Sequence, residues 1–242
     1  MAKTVFVLRP EPGLSATLAR GRKLGLTMEA MPLSHAEAVK WQVPEGAFDG
    51  ILLGSANGLR HADRGASRVS DTEGGSAADT GLDMLPRLPV YAVGKATAQA
   101  ACSLRFPIAQ IGEGGLQKLL DTLAPDAPLR LLRLAGEDRM TLSPPEGVTI
   151  ETCTTYRIVH RPLDDQDAAR LREGGVVLLH SGVAARHFTA ECDRAGVDRA
   201  KLSLAALAPR IASGVSDGWK SIAVAPETRD AALLSLVADM CH

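Results

Sequence analysis

Short apolar segments alternate along the chain with longer segments in which apolar residues recur at helical spacing. The apolar segments predict strands at Val5–Leu8, Gly50–Leu53, Val90–Val93, Ile108–Ile111, Leu129–Leu134, Val176–Leu179, Leu202–Ala206 and Ile222–Ala225. The periodic segments predict helices at Leu14–Leu24, Thr97–Leu104, Leu116–Leu123, Val183–Ala195 and Asp230–Met240. Near-continuous apolar strands separated by helices are typical of parallel sheets covered on both faces, so the predicted fold class is α/β.

Three segments depart from this alternation. Residues Arg64–Gly81 are dominated by Ser, Gly, Asp and Ala, which predicts a surface loop or a partly disordered excursion. Thr27–Leu33 and Val148–Val159 are rich in β-branched or alternating residues, and each leads away from one α/β unit. We therefore interpret these two segments as extended linkers between domains.

Internal repetition is the strongest indication of domain organisation. The pattern LLxSxxxxRH occurs at Leu52–His61 and again at Leu178–His187, an offset of 126 residues. Tyr91–Ala98 aligns with Ala205–Ala212 at an offset of 114 residues, and the difference falls where the polar excursion interrupts the first copy. The chain is thus an ordered series of short, long, short and long units, which favours two similar α/β domains.

Composition excludes several classes of function. Hydrophobic residues make up 45% of the chain and charged residues 23%, which is ordinary globular usage. A net charge of −1 leaves no broad basic surface for nucleic acid, and two Trp, two Tyr and four Phe are too few for base stacking. No apolar segment reaches the ~18–20 residues that span a bilayer, and the first one is too short for a signal peptide. We therefore expect a cytoplasmic protein that acts on a small molecule, with no nucleic-acid and no membrane partner.

The familiar motifs for metals, nucleotides and nucleophiles do not occur in the sequence. The four cysteines are 51, 39 and 49 residues apart without a CxxC pair, which fits neither a disulfide framework nor a zinc site. The six histidines lack zincin spacing, and GxSxG, GxxxxGK[ST] and GxGxxG do not occur. We therefore expect no metal and no cofactor, and thiols that stay reduced.

Small polar residues collect in the loops that follow the predicted strands, where parallel α/β sheets bind their ligands. Backbone N–H groups at helix starts, combined with a hydroxyl or cationic side chain, make such loops receptors for carboxylate or phosphate. For any single hydroxyl, helix capping is the simpler interpretation, but the set of loops favours a shared ligand. The candidate binding residues are Ser55, Asn57, Gly94, Lys95, Thr97, Gly136, Arg139, Ser181 and Gly182.

Tyr156 is one of only two tyrosines and lies on the second of the extended segments. A phenol hydroxyl is able to donate one hydrogen bond at neutral pH. From the residues alone, packing at a hinge and contact with a ligand remain equally open interpretations.

In their order and spacing, several of these segments resemble the uroporphyrinogen-III synthase family. The segments that carry the resemblance are Asp49–Asn57, Ala92–Ala98, Arg133–Arg139, Thr155–Arg157, Ala205–Ala212 and Ala225–Leu234. Two departures stand out. Gly54 replaces the usual Thr, and Arg210 and Ile211 occupy positions where hydroxyls are common, which makes Arg210 a further candidate for direct carboxylate contact.

The resemblance implies two similar flavodoxin-like, doubly wound parallel-sheet domains joined by two β-strand linkers, with the active site between them. Residues 1–33 and 163–242 are expected to form a discontinuous domain and residues 36–155 a continuous one. Residues 27–35 and 148–162 are the expected linkers. We expect the protein to be a monomer.

The resemblance also implies the reaction, in which hydroxymethylbilane loses water and closes to uroporphyrinogen III with ring D inverted, without metal or cofactor. Its substrate carries eight carboxylates, which the strand-end loops are suited to bind. Tyr156 matches the linker tyrosine of the family and is the expected catalytic residue, a weak acid that assists departure of the hydroxyl.

Two other classes of function remain open at this point. A non-catalytic two-domain hinge protein would bind an anionic small ligand tightly without turning it over. A protein of nucleotide metabolism on a flavodoxin-like fold is the weaker alternative, because the phosphate-binding motifs are missing.

Overall fold

The computed structural model describes residues 3–67, 82, 85–124 and 126–241, and of residues 63–67 it describes the backbone alone. The chain divides into two units. The first contains the chain up to His35 and the segment from Val159 onward, and the second contains Ala36–Ile158. The divisions expected from the family resemblance lie between residues 33 and 36 and between residues 155 and 163.

Strands and helices alternate through most of the chain. The strands are β1 (Thr4–Val7), β2 (Thr27–Ala30), β3 (Ser34–Ala38), β4 (Trp41–Gln42), β5 (Gly50–Leu53), β6 (Ala66–Ser67), β7 (Val90–Val93), β8 (Ile108–Gly112), β9 (Leu129–Gly136), β10 (Val148–His160), β11 (Gly175–Leu179), β12 (Leu202–Ala206) and β13 (Ser221–Val224). The helices are α1 (Gly13–Lys23), α2 (Ala56–Gly65), α3 (Lys95–Ser103), α4 (Leu116–Leu120), α5 (Asp165–Arg172), α6 (Gly182–Arg194), α7 (Pro209–Ala212) and α8 (Asp230–Cys241).

The first unit is built on a five-stranded parallel sheet in the order β13-β12-β11-β1-β2. Successive side chains of a strand point to opposite faces, so β1 contributes Phe6 to one apolar layer and Val5 and Val7 to the other. The layer around Phe6 also contains Phe188 of α6, and the opposite layer contains Leu233 of α8. Apolar residues therefore cover both faces of the sheet, as the sequence predicts.

The second unit is built on a six-stranded sheet in the order β3-β10-β9-β5-β7-β8, in which β10, β9, β5, β7 and β8 are mutually parallel. One face packs against α2 and α3 through residues such as Leu59 and Ala98, and the other packs against α4 through Leu119 and Leu120. The fold is thus mixed α/β with parallel sheets, which confirms the predicted class.

The two sheets share one spatial order of strands, which explains the repetition in the sequence. In the first unit the order β2-β1-β11-β12-β13 combines a short segment, β1 and β2, with a long one, β11 to β13. The order β10-β9-β5-β7-β8 in the second unit is the same, with β9 and β10 as the short segment. The short segment precedes the long one in the first unit and follows it in the second.

Most predicted strands and helices agree with the structure to within two residues at either end, although α4 ends three residues before the predicted Leu123. The expected β-strand linkers, residues 27–35 and 148–162, contain the strands β2 and β10. β2 is the edge strand of the first sheet and pairs with β1, and β10 pairs with β9 in the second. Short or polar helices such as α5 and α7 were not predicted from the hydrophobic pattern. Of the predicted Arg64–Gly81 excursion, the first residues end α2 and form β6, and residues 68–81 lie outside the described part.

A β-bulge interrupts the pairing of β10 with β9. Thr154 pairs with Ala135 and Tyr156 pairs with Gly136, so Thr155 is an extra residue on β10. Its side chain is fully buried, and the Thr155 hydroxyl donates to the Gly58 carbonyl at 2.9 Å. The bulge is therefore tied to α2, and the residue after it, Tyr156, is turned against the end of β9.

Replacement of Thr155 by Val keeps the volume of the side chain and removes the buried hydrogen bond to Gly58. We expect the free energy of unfolding to fall by ~1 kcal/mol, the typical net contribution of such a bond. The measurement is urea denaturation, with Thr149→Val, an exposed site on the same strand, as the control. Equal stability of the two variants would show that the hydroxyl does not hold the bulge.

Candidate functional site

A pocket of about 320 Å³ opens in the second unit at the carboxyl ends of β5, β7, β8 and β9. Ser55 follows β5, Val93 ends β7, Gly115 follows β8 and Gly136 ends β9, and all four line the pocket. From β5 the chain continues toward β7 and β8 on one side, whereas β9 and β10 lie on the other. The pocket thus lies at the point where the strand order reverses, the position at which parallel α/β sheets bind ligands.

Tyr156 lines this pocket and lies against the backbone of Gly136. A Cβ at residue 136 would be 2.8 Å from Tyr156 Cζ, so a glycine is required for the ring to lie this close. The His61 ring is the nearest aromatic neighbour, with its centroid 5.9 Å away. Within the described part of the chain the phenol hydroxyl has no hydrogen-bond partner, so it is available as a donor to a ligand.

Arg139 supplies positive charge to the same wall. Its Nη1 donates to the Gly136 carbonyl at 2.9 Å and to Thr154 Oγ1 at 2.8 Å, which fixes the guanidinium at the end of β9. Lys118 and Asp138 also line the pocket. No carboxylate of the described residues forms an ion pair with Arg139, so its charge remains available for an anionic ligand.

Arg133 is a functional candidate that the sequence patterns did not identify. It lies in the interior of β9, is 7% exposed, and lines both this pocket and an adjoining cavity of about 460 Å³. Its Nη1 donates to the Met140 carbonyl at 3.1 Å, whereas its buried Nε has no partner. Burial lowers the pKa of Arg133, and the positive charge of Arg139 acts in the same direction. A charged residue between Leu132 and Leu134 in an apolar strand was the available signal.

The other predicted residues of the second unit divide into two groups. Ser55 lines the pocket, and its Oγ accepts a hydrogen bond from the backbone N–H of Asn57 at 3.2 Å, so it caps α2 as well. Asn57 and Thr97 are buried in their helices and do not line the pocket. Gly94, with φ of 78°, begins α3 beside the pocket wall, and Lys95 after it is exposed. The pocket therefore brings together Ser55, Gly136, Arg139 and Tyr156 of the predicted set.

In the first unit, Ser181, Gly182 and Arg210 lie at the carboxyl ends of β11 and β12. The hydroxyl of Ser181 caps α6 by accepting from the Ala184 N–H at 3.1 Å. A Cβ on Gly182 would be 3.9 Å from the Arg210 carbonyl, so these two loops are neighbours. The exposed Arg210 side chain has no ion-pair partner among the described residues.

A polar cluster beside β11 was also not predicted from the sequence. His180 Nε2 lies 3.0 Å from Asp230 Oδ1, the Arg20 guanidinium lies 2.9 Å from Oδ2, and the Thr17 hydroxyl donates to Oδ1 at 3.0 Å. Burial lowers the pKa of His180 in spite of the hydrogen bond to Asp230. Burial also opposes ionisation of Asp230, but hydrogen bonds from His180 and Arg20 outweigh it and lower the Asp230 pKa to about 2. The carboxylate thus joins α1, α8 and the end of β11.

With the geometry established, comparison with known proteins identifies the family. A family model described as uroporphyrinogen-III synthase HemD matches residues 15–235. The chain belongs to the uroporphyrinogen-III synthase family. Membership makes it a cyclising hydro-lyase of porphyrin biosynthesis and disfavours the non-catalytic hinge protein.

A solved structure of the family shares the fold. The uroporphyrinogen-III synthetase of Helicobacter pylori superposes with a TM-score of 0.59 at 14% sequence identity, over 99% of this chain and 100% of the other. A uroporphyrinogen III synthase of Thermus thermophilus aligns with a TM-score of 0.41 at 17% identity, over 98% and 97% of the two chains. A search of curated protein sequences returned no match.

The described residues lack two further features. None of their His, Cys, Asp and Glu side chains form a group of three or more that is placed to hold a metal ion. In the same part of the chain, no helix combines the length and the apolar character needed to cross a membrane.

The lowered pKa of Asp230 predicts acid sensitivity of the first unit. Because the folded value of about 2 lies below the ordinary value of 3.8, Asp230 stabilises the fold above about pH 4 and loses this effect as the pH falls toward 2. The shift corresponds to ~2 kcal/mol of unfolding free energy. Asp230→Asn is expected to flatten the dependence of stability on pH in this window, as measured by urea denaturation.

The control for this titration is Asp239→Asn, which changes an exposed aspartate of the same helix. It is expected to follow the wild-type pH profile. An unchanged profile for Asp230→Asn would contradict the role assigned to the carboxylate.

Proposed function

We propose that this chain cyclises hydroxymethylbilane to uroporphyrinogen III at the pocket formed by the carboxyl ends of β5 and β9, with Tyr156 as the proton donor. The observation that carries the proposal is that the Tyr156 hydroxyl, which has no hydrogen-bond partner among the described residues, lines the same pocket as Arg139. Family membership supports the reaction, and the position at the reversal of strand order supports the place.

The reaction requires two contributions from the protein, which are orientation of the substrate and one proton. The electron-rich pyrrole expels the hydroxyl from the terminal methylene, and the departing oxygen takes the proton of Tyr156 and leaves as water. The α-carbon of ring D that already carries the bridge to ring C attacks the resulting azafulvenium carbon, and the bond from ring D to that bridge then breaks, which leaves an azafulvenium on ring C. The free α-carbon of ring D attacks the ring C methylene, so ring D is inverted. A final loss of a proton from the ring system restores aromaticity and balances the proton supplied. Holding the linear substrate in the folded conformation is the larger contribution.

We assign binding of the substrate to individual groups that can bind its carboxylates although the protein as a whole is not strongly basic. In the second unit these are the Arg139 guanidinium and the hydroxyl of Ser55, both on the pocket wall. In the first unit we propose the same role for three residues at the carboxyl ends of its strands, Ser181, Gly182 and Arg210. We also propose that backbone N–H groups at the start of α2 and α3 bind carboxylates of the substrate. The residues concerned are Asn57, Gly94, Lys95 and Thr97.

We further propose that the protein works in the cytoplasm as a monomer, without a cofactor. The four cysteines support a reducing compartment, since all of them are free thiols. The buried Cys192 is the extreme case, because burial raises the pKa of its thiol to about 12 and makes it unreactive.

The test of the reaction is an assay with freshly prepared hydroxymethylbilane, followed by oxidation and separation of the porphyrin isomers. The type I isomer forms spontaneously, so the amount of type III isomer above the protein-free control measures the enzyme. Sustained type III formation supports the proposal. Tight binding of the substrate without type III formation would instead support the alternative hypothesis of a non-catalytic hinge protein.

Replacement of Tyr156 by Phe removes one hydroxyl and retains the ring. Because that hydroxyl has no partner among the described residues, the melting temperature is expected to stay within the range of a neutral substitution. The kcat for type III formation is expected to fall by ~10²–10⁴-fold, as for loss of a general acid, while KM changes little. Stopped-flow or quenched assays of type III formation measure both constants.

Tyr91→Phe is the matched control, since Tyr91 is the other tyrosine of the chain and packs in the apolar layer beside α4. It is expected to keep the wild-type kcat. Equal rates for the two variants would reduce Tyr156 to a packing residue.

A further inference from the structure

The strongest unexplained feature of the second unit is the position of Arg133. In the register of the sheet its neighbours are Leu52 on β5 and Thr152 on β10, both uncharged. Alternation along β9 places it on the same face as Leu131, in the apolar layer that packs against α4. A guanidinium in such a layer is costly unless charge and hydrogen bonds compensate it.

The protein itself supplies little of that compensation. The single hydrogen bond of the Arg133 guanidinium among the described residues goes to the Met140 carbonyl, and the buried Nε–H is unpartnered. Glu137 lines the larger cavity and Asp138 the smaller, but neither forms an ion pair with Arg133. The nearby charge is instead Arg139, which is repulsive. Two cations thus share one wall, and no carboxylate of the described residues forms an ion pair with either of them.

We propose that Arg133, together with Arg139, is the receptor for a carboxylate of the substrate. Both arginines line both cavities, so they stand where the pocket of Tyr156 opens into the larger space bordered by Ile150 and Thr152. A planar guanidinium fork matches a carboxylate, and an anion placed there relieves the repulsion between the two cations. The ligand is a pyrrole with a carboxylate side chain, an identity that rests on the proposed function.

A purely structural role for Arg133 makes the opposite prediction about stability. If the guanidinium only holds the loop at Met140, its removal lowers the melting temperature and leaves substrate binding unchanged. If it is a receptor that the free protein leaves uncompensated, its removal relieves a buried charge. Stability is then retained or increased while binding is lost.

The first test is Arg133→Met, which keeps much of the side-chain volume and removes the charge. We expect KM for hydroxymethylbilane to rise by about 10- to 100-fold, the loss of a charged hydrogen-bonded contact, with kcat nearly unchanged and the melting temperature not lowered. A lowered melting temperature with an unchanged KM would overturn the proposal.

Arg130→Met is the matched control on the same strand. Arg130 is ion-paired with Glu151 at 2.7 Å and lines neither cavity, so its loss is expected to leave KM at the wild-type value. An equal rise of KM in both variants would also overturn the proposal, because general charge rather than the receptor would then control binding.

The second test uses the wild-type protein and does not depend on the folding of a variant. The arginine Nε–H signals are recorded by 1H–15N NMR during titration with propane-1,2,3-tricarboxylate and with uroporphyrin III, and chloride at equal ionic strength is the control. The Arg133 signal, assigned by its absence in Arg133→Lys, is expected to shift with both carboxylates and not with chloride. A signal that responds to neither carboxylate would overturn the proposal.

The two tests also separate this proposal from the proposed function. If the wild type forms no type III isomer but its Arg133 signal responds to the carboxylates, the reaction is wrong and the carboxylate receptor stands. If the wild type forms the type III isomer while the Arg133 signal does not shift, the proposed reaction is supported and the proposed carboxylate receptor is contradicted.

Discussion

The site depends on one local constraint, the extra residue that β10 carries opposite the end of β9. The buried Thr155 takes that position and bonds to the Gly58 carbonyl, so α2 and the bulge hold each other in place. Tyr156 is thereby turned against Gly136, where only a glycine leaves room for its ring. Without the bulge, the regular alternation of the strand would give the side chains beyond Thr154 the opposite faces.

The charge on the pocket wall follows from the same strand end. β9 is buried along most of its length, yet it carries Arg133 inside the sheet and is followed by Arg139 at its exit. Neither arginine is neutralised by a carboxylate among the described residues. Uncompensated charge of this kind lowers the stability of the free protein, and such a cost is common where a site must bind an oppositely charged ligand.

Sequence patterns predicted most of the strands and several residues of the pocket wall, for identifiable reasons. The strands β5 and β12 agree with their predicted bounds because a strand buried on both faces is a continuous apolar run. Ser55, Gly136 and Arg139 were candidates because strand ends in parallel sheets bind ligands, and all three line the pocket.

Other features depend on pairing between distant segments, which the local sequence does not record. The pairing of the edge strand β2 with β1 is one such feature. The bulge at Thr155 is defined only against the register of β9, and Arg133 is hidden by the apolar residues on either side of it. The Asp230 cluster joins residues more than two hundred positions apart, Thr17 and Arg20 among them.

A crystal structure of the protein with uroporphyrin III bound would test the central claim, that the carboxyl ends of β5 and β9 bind the tetrapyrrole. The account predicts that the porphyrin occupies the pocket with the Tyr156 hydroxyl directed at it and a carboxylate within hydrogen-bond distance of Arg139. A porphyrin bound away from these strand ends, with the pocket unchanged and Tyr156 out of contact, would contradict it.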